Sequence, residues 1–363
     1  MKLIKSVRDW YGRYERPLSS LSLIGGFVFD AVTLTRIDLF WENFWVIAHL
    51  VIVGVFIVLV NLQENVDMDA KDASKAHFWF INILQFFFGG LLSTFIVFYF
   101  RSATLVVTWP FLLILAAAFV ANESLKKHYA RLTFQISLFY LSLFSFAIFI
   151  VPVLFHRIGP DVFIISGLAS LAALWLFLTA VGLFAREKFR GSRKWLVLFV
   201  SIIFFGTNIL YFFNLIPPIP LSLKDAGIYH SLYRDNAGHY VVTREDTGWL
   251  GYFSLHDDFH VLPGDPVYAY SAIFSPASFT TPIIHEWQVY DTNAAQWTTV
   301  GRVNLVVIGG RDGGYLTYSM RDSITPGEWR VNITTTEGQI IGQLRFNVIA
   351  TDTPPALQTD LKN

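Results

Sequence analysis

Residues 78–121 read FWFINILQFFFGGLLSTFIVFYFRSATLVVTWPFLLILAAAFVA, 44 residues in which Arg101 is the one charge. A bilayer hydrocarbon core about 30 Å thick is crossed by about 20 apolar residues in a helix rising about 1.5 Å per residue. The run is therefore twice one span, and it must turn back at Arg101 and Ser102. Lipid offers no partner for backbone N–H and C=O groups, so each such stretch has to be a helix.

Working outward gives five more stretches of the same kind. The seven candidates are Leu18–Leu34, Phe44–Leu62, Phe78–Phe100, Ala103–Ala121, Leu132–Phe155, Val162–Ala185 and Trp195–Phe213. The chain of 363 residues is 54% hydrophobic and 15% charged, outside the usual range of a soluble domain. Its net charge of zero conceals an asymmetry. Through Pro220 there are 18 Lys and Arg against 12 Asp and Glu, and from Leu221 onward 9 against 15.

Positive charge predicts orientation. With the N-terminus inside, the cytoplasmic segments hold fifteen Lys and Arg residues, and the three outer loops hold only Arg36, Arg101 and Arg157. Seven spans then place the C-terminal half outside the cytoplasm. Met1–Arg16 is basic and aromatic and lacks a short apolar run ending in small residues, so residues 1–17 read as a cytoplasmic amphipathic segment rather than a cleaved signal. The expected location is a bacterial inner membrane, multi-pass, with the lipid bilayer as the first partner.

One carboxylate falls at membrane depth. Asp30 lies about 20 Å in from Arg16 at the helical rise, and an acid there faces a cavity or a partner. Asn82, Gln85, Gln135 or Arg36 would serve. The functional reading is a proton or ion relay, the structural one an anchor between helices.

Beyond residues 18–214 the pattern changes. Residues 215–220, Leu-Ile-Pro-Pro-Ile-Pro, form a stiff linker. After it, apolar residues recur every second position, with strands expected at Ile228–Arg234, His239–Arg244, Trp249–Leu255, Val267–Phe274, Ile283–Tyr290, Thr298–Ile308, Tyr315–Met320, Trp329–Thr335 and Ile340–Ile349. Strands this short, separated by turn residues, predict an all-β, antiparallel, immunoglobulin-like sandwich over residues 221–350, with 351–363 as a flexible tail. Trp329, Val331 and Ile333 share one face, as do Leu344, Phe346 and Val348, and these faces should meet in the core.

Four features carry candidate chemistry. His285 shares a strand face with Trp287, either as a ligand pair or as a buried, hydrogen-bonded histidine. The segment Gly309-Gly310-Arg311-Asp312-Gly313-Gly314-Tyr315 has no Gly-Lys-Ser/Thr and precedes a strand, so it is not a P-loop. Arg311, Asp312 and Tyr315 could grip a ligand there, or Arg311 and Asp312 could lock each other. The residues His256-Asp257-Asp258-Phe259-His260 are of metal-ligating types, but they supply no third, distant ligand, and no metal site is assigned. The chain has no cysteine, which excludes disulfides, thiolate metal sites and cysteine nucleophiles together. No cofactor and no nucleic-acid partner is expected, and the oligomeric state is left open.

Gly26-Phe27-Val28-Phe29-Asp30 with Thr33-Leu34 and Arg36-Ile37-Asp38, Ile228-Tyr229-His230, His285–Trp287, the Gly309–Tyr315 loop and Pro326-Gly327-Glu328-Trp329-Arg330-Val331 together resemble a bacterial family of multi-pass membrane proteins ending in a C-terminal domain of unknown function. The resemblance implies an inner-membrane protein with an extracytoplasmic domain. Leu316 departs from the pattern, where a basic residue is expected. The function expected is that of a non-enzymatic membrane-anchored protein whose outer domain binds a protein or a cell-envelope glycan. The alternative is a small-solute or ion transporter, or a membrane-embedded enzyme, using Asp30.

Overall fold

The computed structural model describes residues 24–34, 36, 38–63, 70–102, 105–124, 131–184, 186–236, 239–245, 257–277, 279–322 and 324–362. The amphipathic N-terminus, the start of the first span, His256 and the strand expected at Trp249–Leu255 lie outside them. The chain divides into a mostly helical unit and a β-rich unit that begins in sequence at Pro217 and also takes in Ser102–Thr108 and His156–Gly159.

Among the described residues there are seven helices: α1 (Ile24–Thr33), α2 (Phe40–Gln63), α3 (Ala70–Ser102), α4 (Leu105–Ser124), α5 (Leu132–Phe155), α6 (Pro160–Phe184) and α7 (Arg186–Phe212). Five of them, α2, α3, α5, α6 and α7, are long and apolar enough to cross a membrane. The described part of α1 and the apolar part of α4, Val107–Asn122, are shorter. The long apolar run does break where its length requires, since α3 ends at Ser102 and α4 begins at Leu105. α5 is the central helix, packed against α2, α6 and α7. Its buried side chains, from Leu132 through Phe139, Phe144 and Phe149 to Pro152, cover more than one face, as expected of a helix surrounded by others.

Local chemistry sets the helix ends. Pro160 opens α6 where its missing N–H costs nothing, and Asp161 follows in the first turn, opposite the positive end of the helix dipole. α7 stops in a Schellman motif. Asn214 takes a left-handed φ of 59°, while the Leu215 N–H donates to the Leu210 carbonyl at 2.8 Å and the Asn214 N–H to the Tyr211 carbonyl at 2.9 Å. Pro217 and Pro218 then prevent the helix from resuming.

Polar side chains between helices pair as amides. Asn61 of α2 donates to Gln135 of α5 at 2.7 Å. Gln85 of α3 and Asn122 of α4 each donate to the other's backbone carbonyl, at 3.1 and 3.2 Å. Arg101, at the end of α3, donates to the Ala31 carbonyl of α1 at 2.7 Å. Between helices that cross a membrane, such bonds supply association that the hydrophobic effect does not.

The β-rich unit holds eleven strands among the described residues: β1 (Ser222–Tyr229), β2 (Ser231–Arg234), β3 (Tyr240–Glu245), β4 (Asp257–Val261), β5 (Val267–Phe274), β6 (Thr280–Asp291), β7 (Gln296–Ile308), β8 (Tyr315–Arg321), β9 (Gly327–Thr335), β10 (Ile340–Ala350) and β11 (Leu357–Lys362). They form three sheets, in the orders β1-β5-β8, β4-β10-β9-β6-β7 and β11-β3-β2. The expected core faces hold except at Leu344, which is half-buried. Trp329, Val331, Ile333, Phe346 and Val348 are all buried, and Trp287, Trp329, Val331, Phe346 and Val348 pack with Val267 and Ala269 of the first sheet.

Three expectations change. The strand expected at Ile228–Arg234 breaks at His230 into β1 and β2, which belong to different sheets. The strands are not all antiparallel, because β4 lies parallel to β10, with Phe346 opposite Asp257 and Ala350 opposite Val261. Residues 357–362 are not a flexible tail; they form β11, paired antiparallel with β3 from Leu357 opposite Glu245 to Lys362 opposite Tyr240. The third sheet covers the outer side of the first, where Leu232 and Val242 pack on Tyr229, Tyr270 and Ala272. This arrangement buries β5 on both faces and accounts for its nearly unbroken apolar sequence, Val-Tyr-Ala-Tyr-Ser-Ala-Ile-Phe.

Candidate functional site

His285 and Trp287 lie on β6 of the second sheet, with their side chains buried against β5 and β8 of the first. The His285 ring is fully buried, with Nε2 2.9 Å from the Ser271 hydroxyl and Nδ1 2.9 Å from the Ser319 hydroxyl. Trp287 Nε1 donates to the same Ser319 oxygen at 3.0 Å. The Ser271 and Thr317 hydroxyls lie 2.8 Å apart, and Thr317 also reaches the Ser271 carbonyl at 3.3 Å.

One proton order gives every donor an acceptor. Trp287 donates to Ser319, Ser319 to His285 Nδ1, His285 Nε2–H to Ser271, Ser271 to Thr317, and Thr317 to the Ser271 carbonyl. With the other tautomer, Ser319 would receive two protons and hold its own without an acceptor in this network. Burial pushes the His285 pKa down to about 4, so the ring is neutral. The group is a closed polar core and offers no face to a ligand.

The glycine-rich loop joins β7 to β8, from the second sheet to the first. A Cβ on Gly309 would overlap the Pro276 carbonyl, and one on Gly314, at φ +93°, would sit 2.8 Å from the Ala272 carbonyl carbon. These glycines are therefore required by close backbone approach. At the exposed tip the Arg311 guanidinium stacks over the Tyr315 ring, 5.1 Å from its centroid. Asp30 is half-buried on α1, with the Ser93 hydroxyl near it. Of the partners expected for it, Gln135 accepts from Asn61, Gln85 and Asn122 bond each other, and Arg36 forks onto Asp38 at 2.7 and 3.0 Å.

The sequence reading missed a different place. A cleft of about 430 Å³ opens where the margins of the three sheets converge, lined by residues 225–229 of β1, Arg244 and Glu245 of β3, Asp258 and Phe259 of β4, 344–346 of β10, and Asp360 and Lys362 of β11. A bulge at Lys224 shifts the register of β1 just before Asp225, which re-aims the strand at the rim. Gly227 makes room for the Tyr229 hydroxyl, which lies 2.6 Å from where a Cβ would stand. Alternation puts Asp360 and Lys362 on one face of β11. Lys362 bonds Asp225 at 2.7 Å, and Arg244 bonds Asp360 at 2.6 Å.

Burial and pairing act on Lys362 and Tyr229 in opposite directions. Burial alone would lower the Lys362 pKa, but the Asp225 hydrogen bond, with Tyr229 and the Asp225 charge, reverses the sign and raises it. Burial raises Tyr229, partly offset by Lys362. Beneath the rim, Glu245 accepts from the His260 N–H at 2.6 Å and from His260 Nδ1 at 2.8 Å, and bonds His230 Nε2 at 3.1 Å. His230 stacks on Phe259 with centroids 4.1 Å apart. Burial lowers its pKa despite the Glu245 charge. No group of three or more acidic or histidine side chains among the described residues is arranged to hold a metal ion. Asp258 takes the Asn347 amide at 3.1 Å and has no ion-pair partner among the described residues.

Residues 280–348 match a family described as a protein of unknown function (DUF2914). The matched stretch runs from β6 into β10 and takes in His285, Trp287, the glycine-rich loop and Trp329. No curated protein matches the chain. Among solved structures, an immunoglobulin-like protein from Pseudomonas aeruginosa is 12% identical, with 36% of this chain and 96% of that one covered and a TM-score of 0.20. A β-glucosidase from Listeria innocua in complex with isofagomine is 10% identical, with 35% and 16% covered and a TM-score of 0.19. At these scores neither likeness bears on the fold.

The signals that could have revealed the cleft were faint. Tyr229 and His230 belong to the Ile228-Tyr229-His230 motif, and Asp360 and Lys362 are two residues apart. Nothing local pairs them with Asp225 and Arg244, which are more than 100 residues away.

Proposed function

We propose that the protein is a membrane-anchored binding protein. In this reading all seven helices span a bacterial inner membrane, with the N-terminus in the cytoplasm. The β-rich unit, an immunoglobulin-like sandwich with a third sheet added, stands outside and binds a protein or glycan of the cell envelope. The observation that carries the reading is the cleft. Its size falls within the range of about 300–1,000 Å³ usual for small-ligand sites, and its rim is polar. Binding is favoured over catalysis because Asp225 and Asp360 are each engaged by a cation and Glu245 by two histidines, which leaves Asp258 as a single carboxylate with no second acid or base paired to it among the described residues.

Capture in living cells tests this. A photo-crosslinking residue replacing Arg345, exposed at the rim, is expected to capture one envelope component, and the same residue at exposed Thr298 on β7 is not. Equal capture from both positions would remove the cleft as the site. The second reading, transport or membrane-embedded catalysis through Asp30, is separated in the same cells. Asp30→Asn should leave capture and complementation of a deletion strain intact, whereas lost complementation at normal protein level would favour the bundle.

A further inference from the structure

We infer that the cleft takes an uncharged, polyhydroxylated ligand, a saccharide unit of envelope glycan. This rests on the binding reading above and narrows it. The lining holds four carboxylates against three cations, so a ligand bearing net negative charge meets an unfavourable field. Two of the three cations are also neutralised in place, and the third, Arg345, donates to Gln343 Oε1 at 2.7 Å. An anion reaching Lys362 or Arg244 would have to displace Asp225 or Asp360, and the lost charge-assisted bonds would offset what it gained.

Paired ions nevertheless keep hydrogen-bonding capacity. A carboxylate accepts at about four lone-pair sites and a guanidinium donates from five N–H groups, so each pair presents donors and acceptors side by side. Hydroxyl groups, which donate and accept together, match that surface where a pure anion or a pure cation does not. Asp258 adds a carboxylate with no ion-pair partner among the described residues. The apolar C–H face of a sugar ring also has a counterpart, since Ile228 and Leu344 are half-buried at the cleft and pack on the core behind it.

The test uses full-length protein in lipid nanodiscs, free of sugar-headed detergent, titrated calorimetrically with chitobiose, with cellobiose and with a sulfated disaccharide of similar size. Saturable millimolar binding of an uncharged disaccharide, little changed by added salt, is expected. Asp258→Ala and Gly227→Ala, the second pressing the Tyr229 hydroxyl into the cleft, should each weaken it by about tenfold, equivalent to about 1.4 kcal/mol. Preferred, salt-sensitive binding of the sulfated probe would overturn the inference. If neither uncharged disaccharide binds while crosslinking from Arg345 still captures a partner, the ligand class is wrong and the binding reading stands. If capture fails as well, both fall.

Discussion

His285 shows how a single buried side chain ties chemistry to stability. Its pKa falls from an ordinary 6.5 to about 4, so below pH 6.5 the unfolded chain binds a proton that the folded one refuses. Stability from the neutral ring is complete above that value and is lost as pH falls from about 6.5 toward 4. The full loss is about 3 kcal/mol. His230, also lowered by burial, acts in the same sense. Melts of wild type and His285→Gln at a series of pH values should converge on acidification, because the variant cannot titrate there. Two parallel curves would mean that the ring titrates in the folded protein as it does in the unfolded chain, and so is exposed. The position of His285 was legible: strand alternation placed it beside Trp287 on one face, and buried together is how they are found. Its partners Ser271 and Ser319 were not, because serines on β5 and β8 become neighbours only once two sheets stack.

At the scale of elements, legibility followed periodicity. β9 and β10 alternate cleanly, and their core faces are as expected. β5, buried on both sides, gives an apolar run that does not say how many sheets cover it, so the third sheet went unseen. β11 was the hardest. Four of its six side chains are exposed, and a strand made largely of ladder hydrogen bonds leaves little trace in hydropathy. It nonetheless supplies Asp360 and Lys362 to the cleft. Ending the chain before Leu357 should cost only about 1–3 kcal/mol, since ladder bonds and few apolar contacts are lost, yet it should abolish capture from the cleft. Thermal melting alongside crosslinking checks both halves of that statement. Capture that survives the truncation would remove β11 from the site.

For the whole molecule, composition and charge divide the chain near Pro220, and in the structure the helices give way to the β-rich segment after Ile216, where Asn214 and the prolines end α7 locally. Length gave the helices, and Arg101, the one charge in a run of 44 residues, marked the break between α3 and α4. The cleft was not legible at this scale, because it is assembled from five strands whose residues span Asp225 to Lys362. The account depends on where the β-rich unit stands relative to the bilayer. Because the chain has no cysteine, single cysteines replacing Thr298, exposed on β7, and Ser192, in the basic segment of α7, can be labelled one at a time with a membrane-impermeant maleimide on intact spheroplasts. Thr298→Cys should label without lysis and Ser192→Cys only after it; labelling of Ser192→Cys in intact spheroplasts, with Thr298→Cys protected until lysis, would contradict the account.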